Sequence, residues 1–160
     1  MIRNVKITDA KAICDIYNYY VINAIISFEE KSVSEAEMTE RIQSRGEKPW
    51  IVCEENNRIL GYAYTRNWRS RHAYRYAVES GVYLTPNETG KGLGTVLYRE
   101  LLDRFKKIGI HVVIGGIALP NPASVALHEK FGFEKVAHFK EVGFKFNKWI
   151  DVGYWELVLK

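Results

Sequence analysis

One loop with three glycines at alternate positions, Thr89–Thr95, constrains the fold of this chain most. An aromatic and β-branched run, Tyr74–Leu84, precedes the loop, and a helical pattern over Leu93–Ile108 follows it. The next apolar run, His111–Leu119, is typical of a strand buried on both faces. A strand, a helix and a second buried strand predict a right-handed parallel crossover. The chain therefore belongs to the α/β class.

The glycine loop itself predicts an anion cradle. Alternate glycines allow a sharp turn that directs backbone N–H groups at one point, and the helix N-terminus adds partial positive charge there. The spacing fits neither a P-loop nor a dinucleotide fingerprint, because no glycine follows Gly94 in the stretch Thr95-Val96-Leu97. A phosphate site and a glycine-rich turn without a ligand both remain open on spacing alone.

The remaining segments predict the order strand, two helices, three strands, helix, strand, helix, two strands, in a mixed sheet. Thr8 is expected to cap the first helix, and Ser34 with Glu37 forms a capping box for the second. The other expected elements are strands at Ile2–Ile7, Trp50–Glu54, Ile59–Trp68, Glu134–Val142 and Asp151–Leu159, a turn over 55–58, a second helix to about Arg45 and a short helix at Ala123–Phe131.

Length and composition indicate one soluble domain over residues 1–160. Hydrophobic residues make up 47% of the chain and charged residues 26%, as in ordinary globular proteins. The two cysteines, Cys14 and Cys53, have apolar neighbours and are expected to be buried. The N-terminus lacks the apolar core of a signal peptide, no run is long enough to span a membrane, and no spacing suggests a metal site. We therefore expect a cytoplasmic protein.

Positive charge is concentrated in one acid-free stretch between Asn56 and Val78. It carries five arginines, so its local charge of +5 leaves 4 − 5 = −1 for the rest of the chain. This distribution favours a local anion pocket over a nucleic-acid surface. A solvated hairpin face for Arg58 and Arg66, and a subunit interface over Arg66–Tyr76, are the alternatives.

The only acid in the run Tyr74–Leu84 is Glu79. A carboxylate on a central strand is costly unless it is used or paired. Glu79 is thus a candidate general base, with an ion pair to an arginine as the alternative. Gly81, two residues later, predicts a β-bulge, or else a glycine that packing requires.

Several motifs together resemble the GCN5-related N-acetyltransferase (GNAT) superfamily, and within it the phosphinothricin N-acetyltransferase branch, which includes methionine sulfone and methionine sulfoximine acetyltransferases. The chain departs from the family pattern at Thr89, where Gln or Arg is usual, and at Asn147, where the branch has Gly. The matching blocks are Thr89–Gly94, Asn121–Phe133, Arg71–Arg75, Val78–Tyr83, Val142–Lys145 and Trp149–Val152.

The resemblance implies a GNAT fold, with a mixed six- to seven-stranded sheet, helices on both faces and a splayed central pair of parallel strands. It implies acetyl-CoA as acetyl donor, and residue spacing gives no reason to expect a metal. Glu79 would be the general base, the Val82 N–H the oxyanion donor, and His128 a general acid or a cofactor contact. The implied cofactor-binding residues are Val82, Tyr83, Leu84, Thr89, Gly90, Lys91, Gly92, Gly94, Thr95, Asn121, Ser124 and His128.

The same resemblance implies an acceptor that is small and amino-acid-like, acetylated on its α-amine. It also implies a homodimer. The charge distribution and the lack of a long apolar run argue against a nucleic-acid or membrane partner. Two other functions stay open: acetylation of peptide or protein N-termini by the same fold, and a non-catalytic acyl-CoA-binding module. The implied acceptor-binding residues are Phe28, Arg71, Tyr74, Glu79 and Lys145.

Overall fold

A seven-stranded mixed sheet runs through the computed structural model, which describes residues 1–160, with spatial order β1-β2-β3-β4-β5-β7-β6. The chain order of elements agrees with the sequence prediction. The strands are β1 Ile2–Asn4, β2 Ile51–Glu55, β3 Arg58–Asn67, β4 Ala77–Leu84, β5 Val112–Ala118, β6 Glu134–Lys145 and β7 Lys148–Val158; the helices are α1 Ala10–Asn23, α2 Glu35–Gln43, α3 Leu93–Lys107 and α4 Pro122–Lys130.

Helices cover both faces of the sheet and enclose two separate apolar cores. The apolar faces of α1 and α2 pack on one side, where Ile13, Met38 and Tyr62 are buried. The long helix α3 covers the other side, with Leu97, Leu101 and other residues at helical spacing facing the strands. Both cysteines are buried and free, as predicted. No helix has the length and apolar character needed to cross a membrane.

The first helix begins one residue later than a cap at Thr8 predicts. Residues Ile7–Asp9 form a 3₁₀ turn, so Thr8 does not cap α1. The Asp9 carboxylate instead accepts the Lys6 N–H at 2.7 Å and pairs with the Arg3 guanidinium at 2.8 Å. The capping prediction for α2 holds in one half, because the Ser34 hydroxyl accepts the Glu37 N–H at 3.1 Å.

Two hairpins place asparagine in left-handed backbone positions. Asn56 and Asn57 have φ of 50° and 61° in the β2–β3 turn, as the turn prediction requires. The β6–β7 turn has the same form, with Phe146 at φ 53° and Asn147 at φ 58°. Asn147 therefore fits this turn, at the position where the resemblance led us to expect Gly, because asparagine tolerates the left-handed region better than most residues.

The fourth strand is shorter than the sequence suggested. Tyr74 is not part of β4 but lies in a 3₁₀ turn, His72–Tyr74, and β4 begins at Ala77. The reason is topological: β3 and β4 are antiparallel, so the chain must reverse direction between Asn67 and Ala77. The aromatic residues of this stretch line a connection rather than a strand.

The predicted β-bulge at Gly81 is wrong. Pairing between β3 and β4 runs one-to-one from Gly61–Leu84 to Asn67–Val78, with Gly81 opposite Tyr64. A Cβ atom at Gly81 would lie 2.5 Å from Cε1 of Tyr64, so the position needs glycine to admit the neighbouring ring. Packing against the cross-strand tyrosine, rather than a backbone kink, explains this residue.

The splayed pair of parallel strands is confirmed. The strands β4 and β5 pair only from Ala77–Val112 to Glu79–Ile114, after which β4 keeps β3 as its single neighbour and β5 keeps β7. The separation opens the sheet at its centre, immediately after Glu79. A carboxylate and an unpaired strand edge are thereby brought together.

Candidate active site

A cleft of about 1360 Å³ lies where β4 and β5 separate. Its walls come from both splayed strands, the start of α4, the β6–β7 hairpin and the segment Ile26–Glu29. Glu79, His128 and Phe28 all line it. Three residues that lie far apart in the sequence therefore share one cavity.

The unpaired edge of β4 is formed by alternate residues. The N–H of Thr85 donates to the Leu60 carbonyl at 2.8 Å. In an antiparallel pair every second residue bonds to the neighbouring strand, so Tyr83, two residues before Thr85, also directs its backbone N–H and C=O at β3. The N–H and C=O of Val82 and the N–H of Leu84 point the other way, toward the gap. Tyr83, which was predicted to bind the cofactor, presents its backbone to β3 instead.

One carbonyl at this edge is already engaged. The Tyr20 hydroxyl, reaching over from α1, donates to the Leu84 carbonyl at 2.5 Å. This contact leaves the N–H of Leu84 and both peptide groups of Val82 for a ligand lying along the strand. An extended amide chain could bond there as an added strand would.

The glycine loop ends at a helix N-terminus that is open to solvent. Gly90 and Gly92 have φ of 76° and 81°, and a Cβ atom at either would meet nothing within 4 Å. Gly92 precedes the first residue of α3 without any side-chain cap, so the first N–H groups of that helix lack side-chain partners. This geometry suits an anion such as a diphosphate.

The polar side chains of the loop are turned to local contacts. The Thr89 hydroxyl donates to the Pro86 carbonyl at 3.0 Å, and Lys91 Nζ lies 3.3 Å from the Glu88 carboxylate. The Lys91 side chain is 62% exposed, so an incoming anion can compete for it. Backbone N–H groups, rather than the Thr89 side chain, are the fixed donors of this loop.

Glu79 forms a two-point ion pair inside the cleft. Arg66 Nη2 donates to its Oε1 at 2.7 Å and Arg66 Nε to its Oε2 at 3.1 Å. The Glu79 side chain is 15% exposed and the Arg66 side chain 60%. The ion pair offered as an alternative thus exists, with Arg66 as the partner. It holds the carboxylate in one orientation at the mouth of the gap.

His128 is buried beside the gap and held by its own helix. Its Nδ1 lies 2.7 Å from the Ser124 carbonyl, which can only accept, so Nδ1 carries a proton. Its Nε2 is buried and has no partner. Burial lowers the pKa of His128 below its usual 6.5. The ring is therefore neutral, and its Nε2 has a lone pair but no proton to give.

This burial predicts a pH-dependent stability. The unfolded chain binds a proton at His128 below pH 6.5 and the folded chain does so only at lower pH, so stability falls as the pH drops through that window. Relative to His128→Phe, the wild type should lose up to about 1.4 kcal/mol per pH unit there. Urea unfolding of both proteins at pH 7.5 and 5.5 measures the difference. If the free energy of unfolding changed equally with pH in both proteins, the buried ring would not be neutral.

Asn121 and Ser124 build the start of α4 at the cleft wall. The Asn121 side-chain oxygen accepts the Ser124 N–H at 3.1 Å and so caps the helix. Ser124 also lines the cleft. Asn121 therefore stabilises the N-terminus of α4 and also lines the cavity.

Lys145 is not free to bind an acceptor. The residue is 2% exposed, and its Nζ donates to the carbonyls of Ala24 and Ser27 at 2.7 Å and 2.5 Å. Burial lowers the pKa of its ammonium group. Phe28, next along the tethered segment, lies against Gly143, where a Cβ atom would be 2.4 Å from its ring. Lys145 therefore fixes the segment that carries Phe28.

With this geometry in place, the comparison with known families is decisive. Residues 2–153 match the model of the acetyltransferase (GNAT) domain. The chain is a member of the GNAT acetyltransferase family. It is 36% identical over 158 residues to a phosphinothricin N-acetyltransferase of Streptomyces viridochromogenes, covering 97% of this chain and 85% of that protein. Such identity over nearly the whole chain identifies the acetyltransferase branch that the motifs indicated.

Two further relatives support the same branch. A Salmonella typhimurium L-methionine sulfoximine/L-methionine sulfone acetyltransferase is 37% identical over 153 residues, covering 94% of this chain and 90% of that protein. The crystal structure of a phosphinothricin acetyltransferase from Sinorhizobium meliloti in complex with acetyl-CoA superposes with a TM-score of 0.95 at 36% identity, covering 99% and 88% of the two chains.

Two of the predicted acceptor residues lie outside the cleft of this acetyltransferase. Arg71 directly precedes the 3₁₀ turn after β3, and Tyr74 is the last residue of that turn. Both residues are exposed. The arginines that do line the cavity from the acid-free stretch are Arg66 and Arg69, the latter stacked on Trp68 at 4.3 Å. Sequence reasoning found the cluster but not which members face inward.

The acetyltransferase also has a polar network that sequence reasoning missed. Arg41 on α2 donates two hydrogen bonds to Glu29, which also accepts from the Tyr17 hydroxyl. Burial, together with the Glu29 carboxylate, raises the pKa of Tyr17 to about 12. All three residues line the cleft. No motif marks them, because α1, α2 and the intervening segment meet only in the folded chain.

Proposed function

We propose that residues 1–160 form one N-acetyltransferase domain that transfers the acetyl group of acetyl-CoA to the α-amine of a small amino-acid-like acceptor. The observation that carries this proposal is the position of Glu79. Its carboxylate stands where the two parallel strands separate, in a cleft that also borders the backbone of Val82. The relatives named for phosphinothricin and methionine sulfoximine indicate the acceptor class.

Acetyl-CoA fits the groups available along the gap. Its diphosphate would lie on the backbone N–H groups at Gly90–Thr95, where a Cβ atom at Gly90 or Gly92 would meet nothing within 4 Å. Its pantetheine amides would bond to the free peptide groups of Val82 and the N–H of Leu84. The thioester then reaches the cleft next to Glu79, because β4 leads from the loop to that residue.

Catalysis begins with removal of a proton from the acceptor. Glu79 accepts one proton from the ammonium group, and the neutral amine attacks the thioester carbonyl carbon. The carbonyl oxygen becomes an oxyanion, which the Val82 N–H stabilises by hydrogen bonding. As the carbon–sulfur bond breaks, the second proton of the nitrogen passes to the departing thiolate. The products are an amide and the coenzyme thiol. The Glu79 proton leaves to solvent through the open cleft.

His128 supports the site without donating a proton in the resting state. Its Nδ1–H is occupied by Ser124 and its Nε2 is bare. The ring fills the space that Gly115 leaves on β5, since a Cβ atom there would lie 2.3 Å from Nε2. We assign His128 a packing and contact role at the thioester end of the gap.

An acetyl-transfer assay tests the proposed function. Purified protein, acetyl-CoA and one amine are mixed, and release of the coenzyme thiol is followed with phosphinothricin, methionine sulfoximine and methionine sulfone. At least one should be acetylated on its α-amine. An alanine-initiated peptide accepted in preference to all three would favour acetylation of N-termini. Binding of acetyl-CoA without turnover of any amine would refute the enzymatic proposal.

We also propose that the protein is a homodimer acting in the cytoplasm. Two unpaired cysteines agree with a reducing compartment. The segment Arg66–Tyr76 exposes Tyr74 and Tyr76, whereas the β6–β7 hairpin exposes more large apolar side chains, and such side chains often mark a subunit contact. Val136, Phe139 and Val142 line the cleft, and the exposed side chains left for a subunit contact are Phe144, Phe146 and Trp149.

Light scattering on a sizing column tests the subunit contact. The wild type should elute with the mass of two chains, and Trp149→Glu should elute as one, because the charge would be buried at the interface. Trp149 is 66% exposed in the single chain, so the variant should still fold. Tyr76→Glu is the matched control. Dissociation by Tyr76→Glu alone would move the interface to the segment Arg66–Tyr76.

A further inference from the structure

Arg66 has an unused binding edge that faces the cleft. Its Nε and Nη2 each donate one hydrogen bond to Glu79, and the structure gives it no other hydrogen bond. A guanidinium carries five N–H donors, so three remain, two of them on Nη1. The side chain is 60% exposed and lines the cavity. The edge formed by Nη1 and Nη2 is therefore open to a second carboxylate.

We propose that Arg66 is a specificity-determining residue that binds the α-carboxylate of the acceptor while it holds Glu79. This inference rests on the proposed function and assigns part of its acceptor site. The acceptor class that follows is an α-amino acid with a free carboxylate, as distinct from an amine or an amino-acid amide. Arg66 and Glu79 together form a pair of opposite charges that complements a zwitterion.

The geometry of a guanidinium allows both contacts at once. Two oxygens bonded to the two N–H groups of Nη2 lie about 5 Å apart. In an α-amino acid the nitrogen is about 2.7 Å from the nearer carboxylate oxygen, and a hydrogen bond adds a similar length. The acceptor nitrogen can therefore reach Glu79 Oε1 while its carboxylate lies on the free edge of Arg66. A β- or γ-amino acid would place the nitrogen differently.

Other cleft arginines are less suited to this task. The Arg41 guanidinium donates to both Glu29 and Glu37, which occupy its Nη1 and Nη2. Arg69 is stacked on Trp68, and the hydrogen bonds to Glu79 come from Arg66 rather than from Arg69. Only Arg66 joins a free donor edge directly to the candidate base. Arg69 also lines the cavity, so the experiment must distinguish a carboxylate contact to Arg66 from one to Arg69.

Matched acceptors isolate the carboxylate contact. Methionine sulfone and its carboxamide differ only in the carboxylate, and kcat/KM is measured for both with the wild type and Arg66→Gln. We expect Arg66→Gln to lower kcat/KM for the acid by about tenfold to a hundredfold, mainly through KM, since hydrogen bonds to charged groups are the strong ones. Any disturbance of Glu79 affects both acceptors, so the ratio of acid to amide reports the carboxylate alone.

Three further variants complete the test. Arg66→Lys should restore part of the preference, because a lysine keeps the charge but not the fork. Arg58→Gln, exposed at the other end of β3, removes the same charge and should leave the ratio unchanged. An equal loss for acid and amide in Arg66→Gln, or collapse of the ratio in Arg69→Gln instead, would overturn the inference. Failure of the wild type with both acceptors would speak against the proposed function itself.

Discussion

Glu79→Gln should lower kcat by about 10²–10⁴-fold while leaving the protein folded. The amide has nearly the same shape as the carboxylate but cannot accept a proton from the acceptor ammonium. Binding of acetyl-CoA should change little, because Glu79 lies beyond the unpaired edge that would hold the pantetheine chain. Steady-state rates of thiol release, together with a binding titration for acetyl-CoA, separate the two effects.

A second acid in the same cleft provides the control. Glu156 on β7 also lines the cavity, and Glu156→Gln removes the same charge without touching Arg66. The kcat of Glu156→Gln should stay within about threefold of the wild-type value, because Glu156 takes no part in the proton transfer. Full activity in Glu79→Gln, or an equal loss in both variants, would remove Glu79 from the role of base.

Gly92→Val should raise the KM for acetyl-CoA by about tenfold to a hundredfold. Gly92 has φ of 81°, and a side chain there would project into the open space in front of the α3 N-terminus. The diphosphate would lose charged hydrogen bonds to the backbone N–H groups. The left-handed backbone also costs about 1–2 kcal/mol with a Cβ atom. Kinetics at saturating acceptor measure the first effect, and urea unfolding the second.

Gly109 at the far end of α3 is the matched control. Its φ is 77°, and it too has nothing within 4 Å of an added Cβ atom. Gly109→Val should therefore show a similar loss of stability with an unchanged KM for acetyl-CoA. If both variants raise KM alike, strain in α3 explains the result and the cradle does not.

Local signals in the sequence were sufficient for the order of elements and for the glycine loop. Apolar periodicity gave the helices and strands to within a few residues at most boundaries. Residues 55–58 were correctly predicted as a turn, since Asn56 and Asn57 adopt positive φ. Such features depend on neighbours in the chain, and they are therefore readable without the fold.

The errors have physical causes that lie outside any local window. Tyr74 looked like a strand residue, but the reversal between two antiparallel strands takes it into a turn. Gly81 looked like a bulge, but a tyrosine across the sheet requires the glycine. Lys145 was implied as an acceptor residue by the resemblance, and in the fold two carbonyls from a distant segment hold its ammonium group.

The sequence by itself determined the α/β class, the glycine loop before a helix and the one acid on the central strand, because glycine spacing and apolar periodicity are local properties; the acetyltransferase function was indicated by the resemblance of its motifs to a family. Only the tertiary structure decided which charged side chains meet. Arg66 reaches Glu79 because β3 and β4 pair in antiparallel register, with these two residues directly opposite. The partner of a charged group depends on contacts between remote segments, and those contacts exist only once the sheet has formed.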